Sequence, residues 1–242
     1  SPSARYEAQG SGGIINIILR KSRKLGLNGS LSSSIGDPKR NALSSNLNYR
    51  DGKLNFFNSS GWNDNLSPGG GYNNSEYYNG DEPSTYFQED RQRERLNTGY
   101  FLNNGVEWYL SDKTSIVGSF FFNRGASDNI QNNFIDQVDG FGGNILNQTV
   151  QTENESDEDF NREYNFNYET NFDESGHKLT IDLQLDNSEE YENGEVLRDN
   201  VLDEIINTKE DNNSYLIKAD YVYPIGENKQ FEAGIRISED DD

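Results

Sequence analysis

Leu96-Asn97-Thr98-Gly99-Tyr100-Phe101-Leu102-Asn103-Asn104-Gly105-Val106-Glu107-Trp108-Tyr109-Leu110 alternates with a period of two. Leu96, Tyr100, Leu102, Val106, Trp108 and Leu110 fall on one side, against Asn97, Gly99, Asn103, Gly105 and Glu107 on the other. Side chains of an extended chain point alternately to opposite faces, so this stretch is a strand with one apolar and one wet face. The pattern occurs earlier in Leu25, Leu27, Leu31 and Ile35, set against Gly26, Asn28, Ser30, Ser32 and Ser34. It occurs later in Tyr164, Phe166, Tyr168 and Phe172, set against Asn165, Asn167, Glu169 and Asn171.

Working outward, the period predicts nine strands near 25–36, 41–50, 53–63, 94–110, 114–125, 158–173, 178–187, 213–224 and 229–239. Most have the roughly 9–11 residues that a tilted strand needs to cross hydrocarbon. Asp51-Gly52, Ser111-Asp112-Lys113, Asp173 to His177 and Gly226-Glu227-Asn228 read as tight turns built from turn formers. The intervening links, apart from Asp37-Pro38-Lys39-Arg40, are long and fall near 64–93, 126–157 and 188–212. Loops of that length are uncommon in compact domains unless they carry function. Because short and long links alternate, all the tight turns gather at one end of the sheet. The expected fold class is all-β, an antiparallel transmembrane β-barrel of which this chain supplies about nine strands.

Composition agrees. Only 31% of the 242 residues are hydrophobic, which is lean for a water-soluble core but sufficient for a barrel that is greasy only on its outer belt. No run approaches the roughly 20 apolar residues of a membrane helix. The net charge of −21 is a mark of disorder, yet 14 Tyr, 13 Phe and two Trp, mostly at alternating positions, argue for strands. The same acidity makes nucleic acid a poor partner, since duplex binding rests on neutralising phosphate. The absence of cysteine removes disulfides, thiolate metal sites and cysteine nucleophiles.

Residues 1–24 read differently. Ser1 to Gly13 is small and Gly-rich, Gly13 to Leu19 is almost continuously apolar like a strand buried on both faces, and Arg20, Lys21, Arg23 and Lys24 form a basic cluster. The segment Ser1-Pro2-Ser3-Ala4-Arg5-Tyr6-Glu7-Ala8-Gln9-Gly10 with Gly12-Gly13-Ile14-Ile15-Asn16-Ile17 resembles the end of the plug domain in TonB-dependent outer-membrane receptors, especially the outer-membrane β-barrel family abundant in Bacteroidetes-type bacteria. Ser1 stands where Asn is commoner in that family.

The resemblance implies a division into 1–24, the last plug strand and linker, and 25–242, the N-terminal part of a plugged barrel of about 22 strands. The long links would then be extracellular. The implied function is energy-coupled uptake of a siderophore, oligosaccharide or peptide across the bacterial outer membrane. The implied partners are outer-membrane lipid and lipopolysaccharide, TonB through plug regions outside this chain, and a small ligand. The alternatives are a soluble, secreted acidic β-sandwich and a non-transporting outer-membrane scaffold.

For candidate sites, Tyr72, Tyr77, Tyr78 and Tyr86 lie on a Gly/Asn-rich link and are the expected ligand-gripping aromatics, set against the plainer reading that they pack the link on the rim. Trp62, Tyr109, Phe120, Phe122, Phe172, Tyr221 and Tyr223 are expected to form interfacial girdles. The acidic runs 153–159, 188–192 and 239–242 match no defined calcium-loop spacing and read as solvated faces. His177 is the sole histidine and falls in a turn, so neither a zinc site nor a catalytic triad is expected. No enzyme activity, catalytic residue, metal or cofactor is expected.

Overall fold

The computed structural model describes residues 25–140, 142–226 and 229–241. The plug-like segment 1–24 and its basic cluster lie outside the described residues. The described chain is one antiparallel meander in which every strand pairs with its sequence neighbours. The strands are β1 (Gly26–Ser34), β2 (Arg40–Asp51), β3 (Leu54–Asn79), β4 (Glu82–Tyr109), β5 (Thr114–Val138), β6 (Ile145–Asn171), β7 (Lys178–Arg198), β8 (Val201–Pro224) and β9 (Gln230–Asp241). The sheet is open, with β1 and β9 at its edges.

There is no second layer among the described residues, which overturns the sandwich alternative. Val138 is the one buried hydrophobic side chain among them, and residues such as Leu27, Leu31, Tyr100 and Trp108 lie exposed. A soluble protein hides such side chains in a shared interior. Here the apolar face has nothing over it.

The nine strands stand where the period puts them, but six are far longer than expected. The segments 64–93, 126–157 and 188–212 are not irregular loops. They continue β3–β4, β5–β6 and β7–β8 as paired hairpins, leaving only residues 80–81, 139–144 and 199–200 as connections. β4 has 28 residues. At about 3.4 Å per residue it is ~95 Å long, roughly three times a bilayer's hydrocarbon thickness. The hairpin tips carry backbone chemistry that suits them. Asp199 (φ +51°) and Asn200 (φ +66°) form a two-residue turn in the left-handed region, which Asp and Asn tolerate.

Register fixes the faces. Leu27, Tyr49, Phe56, Val106, Gly118, Phe166, Leu183, Ile217 and Ile237 form one continuous row across all nine strands. The next residue along each strand gives the opposite face: Asn28, Asn48, Phe57, Gly105, Ser119, Asn165, Gln184, Leu216 and Ser238. A slip of one residue would exchange these rows, so the need to keep apolar side chains together on one face sets the pairing.

On the polar face, ring-over-glycine packing replaces a core. The Phe57 ring covers its register partner Gly105, where an added Cβ would lie 2.1 Å from Cζ. Phe101 covers Gly61 in the same way, at 2.5 Å from Cε1. Such cross-strand pairs help fix register.

Candidate functional site

The apolar belt runs obliquely to the register rows. The row through Leu66 and Leu96 continues as Asp128, Ser156, Asn193 and Asn207, so it is apolar on β3–β4 and polar from β5 onward. From β3 to β9 the upper limit falls from Leu66 to Ile237, which lies in the row of Phe56. The lower limit falls from Leu54 to Phe231, beyond Ile235 in the row of Leu54. Averaged over both limits the drift is about 1.2 residues per strand, the value expected when strands ~4.8 Å apart tilt by roughly 40°. A belt that is level only when the strands lean is the geometry of a barrel wall.

The belt's ends are marked by aromatic and charged groups. At the tight-turn end, the His177 ring lies 4.3 Å from that of Phe172 and 5.0 Å from that of Tyr223, and His177 Nε2 is 2.8 Å from the Tyr221 hydroxyl. At the hairpin end, Arg124 and Arg162 flank the Phe160 ring. Each guanidinium is paired, Arg124 with Glu158 and Arg162 with Glu189. Six of the seven expected girdle residues lie on the apolar face. Tyr109 is the exception: it sits on the polar face beneath the Arg50 guanidinium, 4.6 Å from its ring centroid. An outer membrane protein β-barrel family model matches residues 170–241, from the end of β6 through β9. This is outer-membrane β-barrel wall. No curated protein and no solved structure matches the chain.

The protein's place is therefore the bacterial outer membrane, with the apolar face against lipid and the polar face lining the interior. Within the lipid-facing belt, Ser45, Ser60, Asn58 and Asn104 form a polar island. The Asn58 amide donates to Asn104 Oδ1 at 2.7 Å, and the two serine hydroxyls lie 2.8 Å apart. In hydrocarbon a polar group without a partner costs more than in water. Asn104→Leu alone leaves the Asn58 amide without its acceptor and is expected to lower stability by about 1–2 kcal/mol. The Asn58→Leu/Asn104→Leu double variant is expected to recover it. Urea midpoints in liposomes measure both, and a double variant weaker than the single would contradict the account.

The expected aromatic grip is not one cluster. Tyr72, Tyr78 and Tyr86 share the face that is lipid-side lower down, since Tyr86 pairs with Glu76 in the alternating series 72–78. Tyr77 points to the opposite face and meets the Phe87 ring edge-on at 5.7 Å. Tyr72 is 83% exposed, and the Tyr78 hydroxyl donates to Glu76 Oε2 at 2.7 Å. The four residues therefore crown one tall hairpin on both sides.

Sequence reasoning missed the interior acidic ladder above the belt. Period two divides the run 153–159: Glu153, Glu155, Asp157 and Asp159 all take the interior face, while Glu158 takes the other and pairs with Arg124. Amides hold most of the ladder. Gln131 and Gln151 donate to Glu153, Asn129 to Glu155, and Asn123 with the Gly125 N–H to Asp159. The alternation Glu-x-Glu-x-Asp-x-Asp was the available signal.

Burial and the neighbouring Glu155 push the Asp157 carboxyl up to about 6; Glu192 adds to the rise and Arg95 opposes it. An acid whose folded pKa exceeds its unfolded value of about 3.9 is protonated preferentially in the native state. Its contribution to stability is full below about pH 4 and is lost as pH rises toward 6. The β6–β7 hairpin is thus expected to resist protease better at pH 5 than at pH 7 in metal-free buffer. Carboxyl-resolved NMR should show one midpoint near 6; a midpoint at or below 4 for Asp157 would refute this.

Proposed function

We propose that the protein is a TonB-dependent outer-membrane receptor that takes up a small ligand through a plugged barrel. The observation that carries the reading is the Ser1–Ile17 sequence, whose Gly-Ile-Ile-Asn-Ile run resembles the end of a plug domain and comes directly before the outer-membrane wall in the sequence. The interior face supports it, because a surface of carboxylates, amides and hydroxyls suits a passage for polar solutes. The tall hairpins, taken as extracellular, offer aromatic side chains for capture, with Tyr72, Tyr77, Tyr78 and Tyr86 as ligand contacts. TonB would act on plug regions outside this chain, and lipopolysaccharide would surround the upper belt. The residues supply wall and capture surface but no reaction, so we assign no enzyme activity and no nucleic-acid partner.

Uptake by the full-length protein tests this. Labelled ferric siderophores, oligosaccharides and peptides are offered to cells with and without TonB. At least one class should accumulate only when TonB and the proton gradient are intact. Uptake that is equal without TonB would overturn the coupling, and uptake of none would favour the scaffold reading.

A further inference from the structure

The interior ladder contains a spot that amides do not satisfy. Glu155 and Asp157 stand two residues apart on β6, Glu192 on β7 is the register partner of Asp157, and Asn129 on β5 is the register partner of Glu155. One carboxylate oxygen from each of Glu155, Asp157 and Glu192 lies within 4.8 Å of the others. Asn129 is only 6% exposed, and its Nδ2 donates to Glu155 Oε2 at 3.2 Å, which puts its carboxamide at the cluster. Its Oδ1 has no partner. Neither has the buried Asp157 Oδ1. Arg95, the register partner of Asn129, brings one guanidinium to this spot, and its buried Nε is likewise without a partner. Two orphaned buried acceptors and three converging carboxylates exceed what that single positive group can offset.

We propose that Glu155, Asp157 and Glu192, with the Asn129 carbonyl, bind one hard divalent cation of the calcium type on the interior face above the belt. The three oxygens are close enough together for one ion at about 2.4 Å from each to reach all of them. The donor set is oxygen alone, which suits calcium and not zinc. Arg95, the guanidinium that acts on Asp157, offsets one of the three carboxylates and leaves two negative charges for a divalent ion. Bound there, the ion ties β5, β6 and β7 together where no lipid and no second layer supports them. This site does not depend on the transport reading.

The test uses full-length protein in detergent, stripped with chelator and titrated calorimetrically with Ca²⁺ and, separately, Mg²⁺. Wild type should bind Ca²⁺ with a Kd of about 10⁻⁴–10⁻³ M, the range of extracellular calcium modules, and bind Mg²⁺ more weakly. Glu155→Gln/Asp157→Asn should lose one calcium equivalent, while Glu153→Gln, whose carboxylate the amides already hold, should keep it. Heat-modifiable mobility confirms that each variant is folded. A double variant that binds the same number of Ca²⁺ ions as wild type, no Ca²⁺ uptake by wild type, or tighter binding of Mg²⁺ would overturn the proposal.

Discussion

Leu102→Lys is expected to collapse the yield of folded protein in liposomes, while Asn103→Lys, the next residue on the same strand, leaves it near wild type. Leu102 lies on the lipid-facing row between Ser60 and Phe122, midway between the belt limits Leu96 and Trp108 on β4. A lysine near the bilayer midplane on that face costs about 2–4 kcal/mol, a large share of the net stability of a typical domain. Asn103 lies on the interior face between Ser59 and Phe121, where water is available. Surface changes of that kind usually stay within about 0.5 kcal/mol. The readout is the fraction that keeps heat-modifiable mobility after refolding. Equal loss in both variants would mean that both faces are dry.

Replacing residues 70–92 with a two-residue Asn-Gly turn is expected to separate wall from capture. Gly69 and Arg93 are register partners, so the cut closes as a hairpin without shifting the strands below. The apolar belt on β3 and β4 ends at Leu66 and Leu96, and the lipid-facing rows stay intact. Folded yield should therefore match wild type. Binding of whichever ligand class the uptake panel identifies should fall at least tenfold, since Tyr72, Tyr77, Tyr78 and Tyr86 leave with the hairpin. Unchanged binding would move capture to the other two tall hairpins or to the plug.

The belt was legible because lipid enforces period two: Leu183, Leu185 and Ile237 each alternate with polar neighbours. Strand number and the tight turns followed from that signal. Above the belt both faces meet water, so the alternation disappears although the backbone pairing continues. That is why 64–93, 126–157 and 188–212 read as loops. Their tips left a fainter trace in Asn79-Gly80-Asp81 and Asp199-Asn200, short turn formers inside long polar stretches. Tyr109 was misplaced for a related reason: it follows Trp108 near the strand end, where an aromatic suggests a girdle whichever face it takes. The acidic ladder was hidden because its spacing in sequence is that of a strand, and the residues gathered against it, Asn129 and Glu192, come from neighbouring strands.

The central claim, that alternate side chains meet acyl chains and interior water, is tested most directly by a nitroxide scan of β4 from Tyr100 to Trp108 in the full-length protein in liposomes. The 242 residues contain no cysteine, and with any cysteine elsewhere in the full-length protein changed to serine each introduced label reports from its own position. Collision with lipid-dissolved oxygen should peak at 100, 102, 104, 106 and 108, and collision with a water-soluble nickel chelate at 101, 103, 105 and 107. Accessibility that varies without this two-residue period, or nickel maxima at the even positions, would contradict the account.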